Sequence, residues 1–237
     1  SRWRQMDVSD ENVASFQRDG YLLIKGFAHA SECHAMRAAM SHLIERWEPS
    51  SVTSVFHTGE KDQSRAQGSD EYFLSSADKV RFFLEPGAVD PSTGELRADI
   101  PKAEALNKVG HALHVLDPTF AAYVQSAKVR ELVRHLGWSS PDLVQSMYIF
   151  KQPHIGGKVT PHQDSSFLRT EPLSCLGLWL ALEEATTENG CLWARPGSHK
   201  EELRRHFARR ADEADPSIVR TVFVPVDKRD PPQAAAA

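Results

Sequence analysis

A histidine and an aspartate stand two residues apart in TPHQDSSF, Thr160 to Phe167, behind a glycine pair at Gly156 and Gly157. Two residues is the repeat of an extended strand, so this spacing places the His162 imidazole and the Asp164 carboxylate on one face. A neutral imidazole beside a carboxylate is half of a metal site. The same pair also serves as a hydrogen bond that merely orders a loop. Two histidines and one carboxylate with open positions are the ligand set of non-haem iron(II) oxygenases, which leave room at the metal for co-substrate and oxygen. His162 and Asp164 would supply two of those ligands, and the third would come from a distant strand. Residue types alone leave both readings open.

Other candidate groups are less complete. His111 and His114 lie three apart on an expected helix, a spacing compatible with a metal pair. No carboxylate or cysteine at ligand spacing joins them, which favours core packing or pocket lining. Gly156, Gly157 and Lys158 are not a phosphate loop, because the upstream glycine is missing and Val159 stands where Ser or Thr is needed. Ser165 and Ser166 lack the G-x-S-x-G elbow of a hydrolase. His199, in PGSH, reads as a turn residue and His206 as a solvated helix position. Arg204, Arg205, Arg209 and Arg210 read as the solvated face of that helix.

The elements that must position these groups follow from period and punctuation. Ser9 to Asp19 reads as a helix with Ser9 as N-cap and Gly20 as stop. YLLIKGF, Tyr21 to Phe27, reads as a strand. Ser31 to Trp47 reads as a helix, with Cys33, Met36, Met40, Leu43, Ile44 and Trp47 in one stripe and Pro49 beyond its end. From Ser50 to about Ile100 a long loop is expected, with a short strand at Lys79 to Leu84. Ala103 to Leu116 reads as a helix that carries Lys108. Lys128 to Leu136 reads as another, with Val129, Leu132, Val133 and Leu136 inward and Gly137 at its end. LVQSMYIFK, LGLWLALEE and TVFVPV, Thr221 to Val226, read as strands, and Glu201 to Arg210 as a helix. Met147 and Trp179, on neighbouring strands, would wall an oxygen-reactive pocket. Helices first and strands later is the order of an α+β protein.

Composition bounds the function class. The chain has 237 residues, 41% hydrophobic and 25% charged, which suits one domain with a packed core. A net charge of −4 argues against a nucleic-acid surface. No apolar run approaches the length of a membrane span, and SRWRQMDVSD lacks the apolar region of a signal peptide. The sequence begins without Met, as a chain starting inside a longer one would. Cys33, Cys175 and Cys191 are widely spaced, which suits a reducing compartment, and a cytoplasmic location is expected.

The runs QSMYIFKQPHIGGKVTPHQDSSFL and LGLWLALEEATTENGCLWARPGSHK resemble the phytanoyl-CoA dioxygenase family, above all its domain-containing group. NKVGHALH and SDEYFLSSADKVRFF resemble that group too, and the likeness spans roughly residues 10 to 226. It implies a double-stranded β-helix, or jelly roll, with flanking N-terminal helices, iron(II) and 2-oxoglutarate. By residue, it implies iron on His162 and Asp164. It implies 2-oxoglutarate contacts from Lys108, Met147, Gln163 and Trp179 beside the two iron ligands. Residues 1–237 are then one iron(II)/2-oxoglutarate dioxygenase-like domain. The implied activity is hydroxylation of a small organic substrate, acyl compounds included, by molecular oxygen. A monomer without nucleic-acid or membrane partners is expected. The family also carries a later histidine ligand and an arginine for the distal carboxylate, and TVFVPVDKRDPPQAAAA matches neither. The sequence therefore implies a domain short of its C-terminal strands, with impaired turnover. The alternative is a non-catalytic chain that keeps a partial ligand-binding fold.

Overall fold

The computed structural model describes residues 8–49, 54–57, 70–211, 215–216 and 219–226. Helix α1, Asp10–Asp19, starts where the Ser9 hydroxyl accepts the Asn12 N–H at 3.2 Å. It stops at Gly20, whose φ of 81° suits a residue without Cβ. Helix α2, Ala30–Arg46, buries Met36, Met40 and Ile44, and Trp47 closes the same stripe. Each such side chain contributes roughly 1.5–3 kcal/mol when fully removed from water. Helix α3, Glu71–Leu74, is capped by the Asp70 carboxylate, which accepts from Tyr72 and Phe73.

Strands β1, Val80–Leu84, β2, Leu106–His111, and β3, Ser146–Ile149, form an antiparallel sheet in the order β1-β2-β3. Cross-strand partners share a face. Phe82, Val109 and Tyr148 make one row, and Trp47 at the end of α2 stacks on Phe82 at 4.8 Å. That face and α2 enclose the main core, with Leu106, Ala105 and Leu113. The row of Phe83, Lys108 and Ile149 points the other way. After the sheet come α4, Leu113–Leu116, α5, Pro118–Val124, and α6, Ala127–His135. Val129, Leu132 and Val133 face inward on α6, Leu136 is buried beyond it, and Gly137 follows with φ of 110°. Strands β4, Arg205–Ala211, and β5, Val219–Pro225, pair as a separate antiparallel ladder. Helices and antiparallel sheets together make the α+β class expected.

Four expectations need correction. Residues 103–116 are not one helix: β2 occupies their middle, because Lys108 to His111 pair on both sides and all six residues of the strand are buried. Glu201 to Arg210 is not a helix either, since β4 pairs residue for residue with β5. Its arginines therefore alternate between faces instead of lining one. Tyr21 to Phe27 is irregular, with Leu23 75% exposed and no ladder to join among the described residues. LGLWLALEE likewise runs without a strand partner among the described residues, although Leu180 and Leu182 pack on the core. The expected loop from Ser50 contains α3 and β1, and its parts at 50–53 and 58–69 lie outside the described residues. Cys33, Cys175 and Cys191 are free thiols. Among the described residues no helix is long and apolar enough to cross a membrane.

Candidate active site

His162 and Asp164 meet, but by a turn and not by a pleat. Asp164 opens a 3-10 turn, Asp164–Ser166, in which the Ser166 N–H reaches Gln163 O at 2.9 Å. The turn folds the carboxylate back until Asp164 Oδ1 lies 3.4 Å from His162 Nε2. His162 Nδ1 lies 2.8 Å from the Thr160 carbonyl, which only accepts, so Nδ1 carries the hydrogen. Nε2 is then the lone pair of the neutral ring, turned toward the carboxylate. The hydrogen bond that protonated Nε2 makes to Asp164 holds the imidazole pKa above its ordinary value, against the effect of burial. Both side chains are partly open to solvent, at 39% and 60%. Phe167 packs edge-on against the His162 ring at 5.7 Å and against Phe207 and Phe223 of the β4–β5 hairpin at 5.9 and 5.5 Å. Gly177 lies so near that an added Cβ would sit 3.2 Å from Asp164 Oδ2.

Lys108 is not on a helix but in the middle of β2, with its side chain in the protein interior. Its Nζ sits 3.1 Å from the centroid of the Phe56 ring and within 5.7 Å of those of Phe73 and Phe83. Met147 Sδ lies 3.8 Å away. Burial pushes the ammonium pKa well below the ordinary lysine value, and no carboxylate pairs with it among the described residues. Nearby His111 is driven down to about 3, first by burial and then by the charge of Lys108. The Ser76 hydroxyl donates to Phe73 O at 2.5 Å, so it accepts from His111 Nδ1 at 2.8 Å. His111 therefore ends β2 as a neutral core residue. His114, in α4, has its Nδ1 2.8 Å from the Ser146 hydroxyl. The two are not a metal pair on one helix.

The remaining sequence candidates divide. Lys108 and Met147 come together, as do His162 and Asp164. Gln163 turns away, donating to Ser198 O at 3.0 Å and Glu201 O at 3.2 Å. Trp179 is 47% exposed on an extended stretch without a ladder. His199 Nε2 reaches Gln17 O at 3.2 Å, so this turn residue is occupied by α1. His206 is not solvated but 3% exposed within the hairpin, 3.4 Å from Arg169 Nη1. Among the described residues no three His, Cys, Asp or Glu side chains gather as a metal-holding group. The imidazole lone pair and the carboxylate thus fit two positions of an iron set. Phe56, Phe73, Phe167 and Glu85 carry no role in the sequence pattern. Only Glu85, an acid directly after the apolar end of VRFFL, leaves a visible signal there.

The profile of the phytanoyl-CoA dioxygenase family (PhyH) matches residues 16–234. The chain belongs to this family. Phytanoyl-CoA dioxygenase domain-containing protein 1 from Bos taurus is 50% identical over 204 residues, 85% of this chain and 69% of its own length. The mouse protein of that name is 45% identical over 233 residues, 94% of this chain and 79% of its own length. An Arabidopsis thaliana protein named phytanoyl-CoA dioxygenase is 45% identical over 227 residues, 94% of this chain and 77% of its own length. In this phytanoyl-CoA dioxygenase family member, the lysine cage and the His162–Asp164 pair are the two groups that chemistry singles out.

Proposed function

We propose that the chain is an iron(II)- and 2-oxoglutarate-dependent dioxygenase that hydroxylates a small organic substrate on a double-stranded β-helix. The observation that carries this reading is Lys108. Among the described residues its ammonium has no anion; such a buried charge is unstable, and a carboxylate ligand supplies what it lacks. Met147 beside it gives an apolar wall for the aliphatic part of such a ligand. Membership of a family whose relatives bear the name dioxygenase supports the same reading. Iron(II), held by His162 and Asp164, would supply the activation of oxygen when bound. The rest is work for protein groups. The Thr160 carbonyl keeps the proton on His162 Nδ1 and so leaves Nε2 free to ligate. Phe167 blocks rotation of the ring. Phe56, Phe73 and Phe83 exclude water from the lysine, so its charge acts at full strength on a bound carboxylate.

A second reading has its own observation. Only two of three iron ligands gather among the described residues. A chain with that set binds 2-oxoglutarate at Lys108 without turning it over. The test is succinate release from 2-oxoglutarate with iron(II) and oxygen, run beside anaerobic 2-oxoglutarate binding. Release above background is expected for the dioxygenase. Binding without release selects the second reading, and neither binding nor release overturns both.

A further inference from the structure

Glu85 is an acid in the core. It follows β1 directly and is 2% exposed. Burial raises its carboxyl pKa, while its hydrogen bonds pull the other way. A carboxyl survives in such a place when its oxygens are partnered. Oε1 accepts from the Asn107 side-chain amide at 2.9 Å, and Oε2 accepts from the Gly157 backbone N–H at 3.1 Å. The two partners lead to the two halves of the site. Asn107 immediately precedes Lys108 on β2, and Gly157 begins the segment that ends in His162 and Asp164. Ile155, just ahead of that segment, packs against the turn that follows β1. A Cβ on Gly87 would come 3.1 Å from Ile155 Cβ.

We propose that Glu85 is a positioning residue: its carboxylate ties the segment bearing His162 and Asp164 to the strand bearing Lys108. The role toward a metal rests on that pair being iron ligands; the tether itself does not. Substitutions separate the tether from simple core filling. In Glu85→Gln the amide oxygen still accepts from Gly157, and the NH2 donates to Asn107 once that amide flips. Glu85→Ala loses both bonds. The experiment measures amide hydrogen exchange across residues 157–163 and cobalt(II) affinity by titration, in the parent chain and both variants. In the parent, a protected Gly157 amide is expected. In Glu85→Ala, exchange accelerates selectively across 157–163 and cobalt affinity falls about 10- to 100-fold, the usual effect of losing a group that orients a ligand. Glu85→Gln restores most of both. Acceleration spread evenly over the chain, or Glu85→Gln behaving like Glu85→Ala, overturns the proposal. So does a Gly157 amide that exchanges freely in the parent, a result that needs no folded variant. Absence of cobalt binding in the parent instead defeats the iron reading, and the Gly157 exchange still decides the tether.

Discussion

Burial drives Lys108 toward its neutral form, and that gives the ligand-free chain a pH-dependent stability. Between the depressed pKa and the ordinary lysine value, the unfolded chain binds a proton that the folded chain does not. Stability therefore rises with pH across that window. Lys108→Met, similar in length and apolar, is expected to flatten this rise and to raise the melting midpoint of the ligand-free protein below the window. It should also weaken 2-oxoglutarate binding by roughly 2–5 kcal/mol, the usual cost of removing one partner of a buried charged pair. Thermal melts from neutral to alkaline pH and calorimetric titration check both, and an unchanged affinity would remove Lys108 from the site. His162 and Asp164 behave differently because solvent reaches them. His162→Ala and Asp164→Ala should each abolish iron-dependent succinate release while shifting stability by no more than about 0.5 kcal/mol, as for most surface changes. Undiminished release in Asp164→Ala would reject the ligand assignment.

Helix α1 is legible in the sequence, because Ser9 and Gly20 punctuate it at both ends. Sequence does not disclose that the Gly20 junction is also a docking point. A Cβ there would lie 2.1 Å from His199 Nδ1, on backbone already at φ of 81°. Gly20→Ala should cost about 1–3 kcal/mol through strain and displace the histidine. A denaturant midpoint equal to that of the parent would show that the turn yields freely. Lys108 and Arg205 mark where local pattern misleads. AEALNKVGHALH is rich in strong helix formers, and a strand covered on both faces shows no polar-apolar alternation to betray it. RHFARRA also favours a helix alone, and only pairing with Thr221 to Val224 overrides it. Tyr21 to Phe27 and Leu176 to Leu182 err in the opposite sense. Their β-formers have the right composition, but strands are made by partners and not by residues. The His162–Asp164 contact is legible from spacing, although a turn and not a strand produces it. Lys108 with Met147 is legible only through family resemblance.

Across the molecule, cohesion is uneven. The sheet of β1 to β3 shares its core with α2, whereas the β4–β5 hairpin leans on the Asp164–Ser166 turn and Phe167. Amide exchange is therefore expected to be slowest in β2 and faster, by an order of magnitude or more, in β4 and β5. Equal protection in both would mean a single cooperative unit. At the rim, distant parts of the chain are tied together. Gln163, between the two candidate ligands, hangs from the carbonyls of Ser198 and Glu201. That turn in turn hangs from α1 through Gly197 N–H to Asp19 O at 2.8 Å and His199 to Gln17 O. Force applied to the first helix thus has a short route to the chemistry. An affinity handle or surface anchor joined just ahead of Ser9 would pull on that route, whereas one grafted into the exposed turn at residues 91–95 would leave it slack.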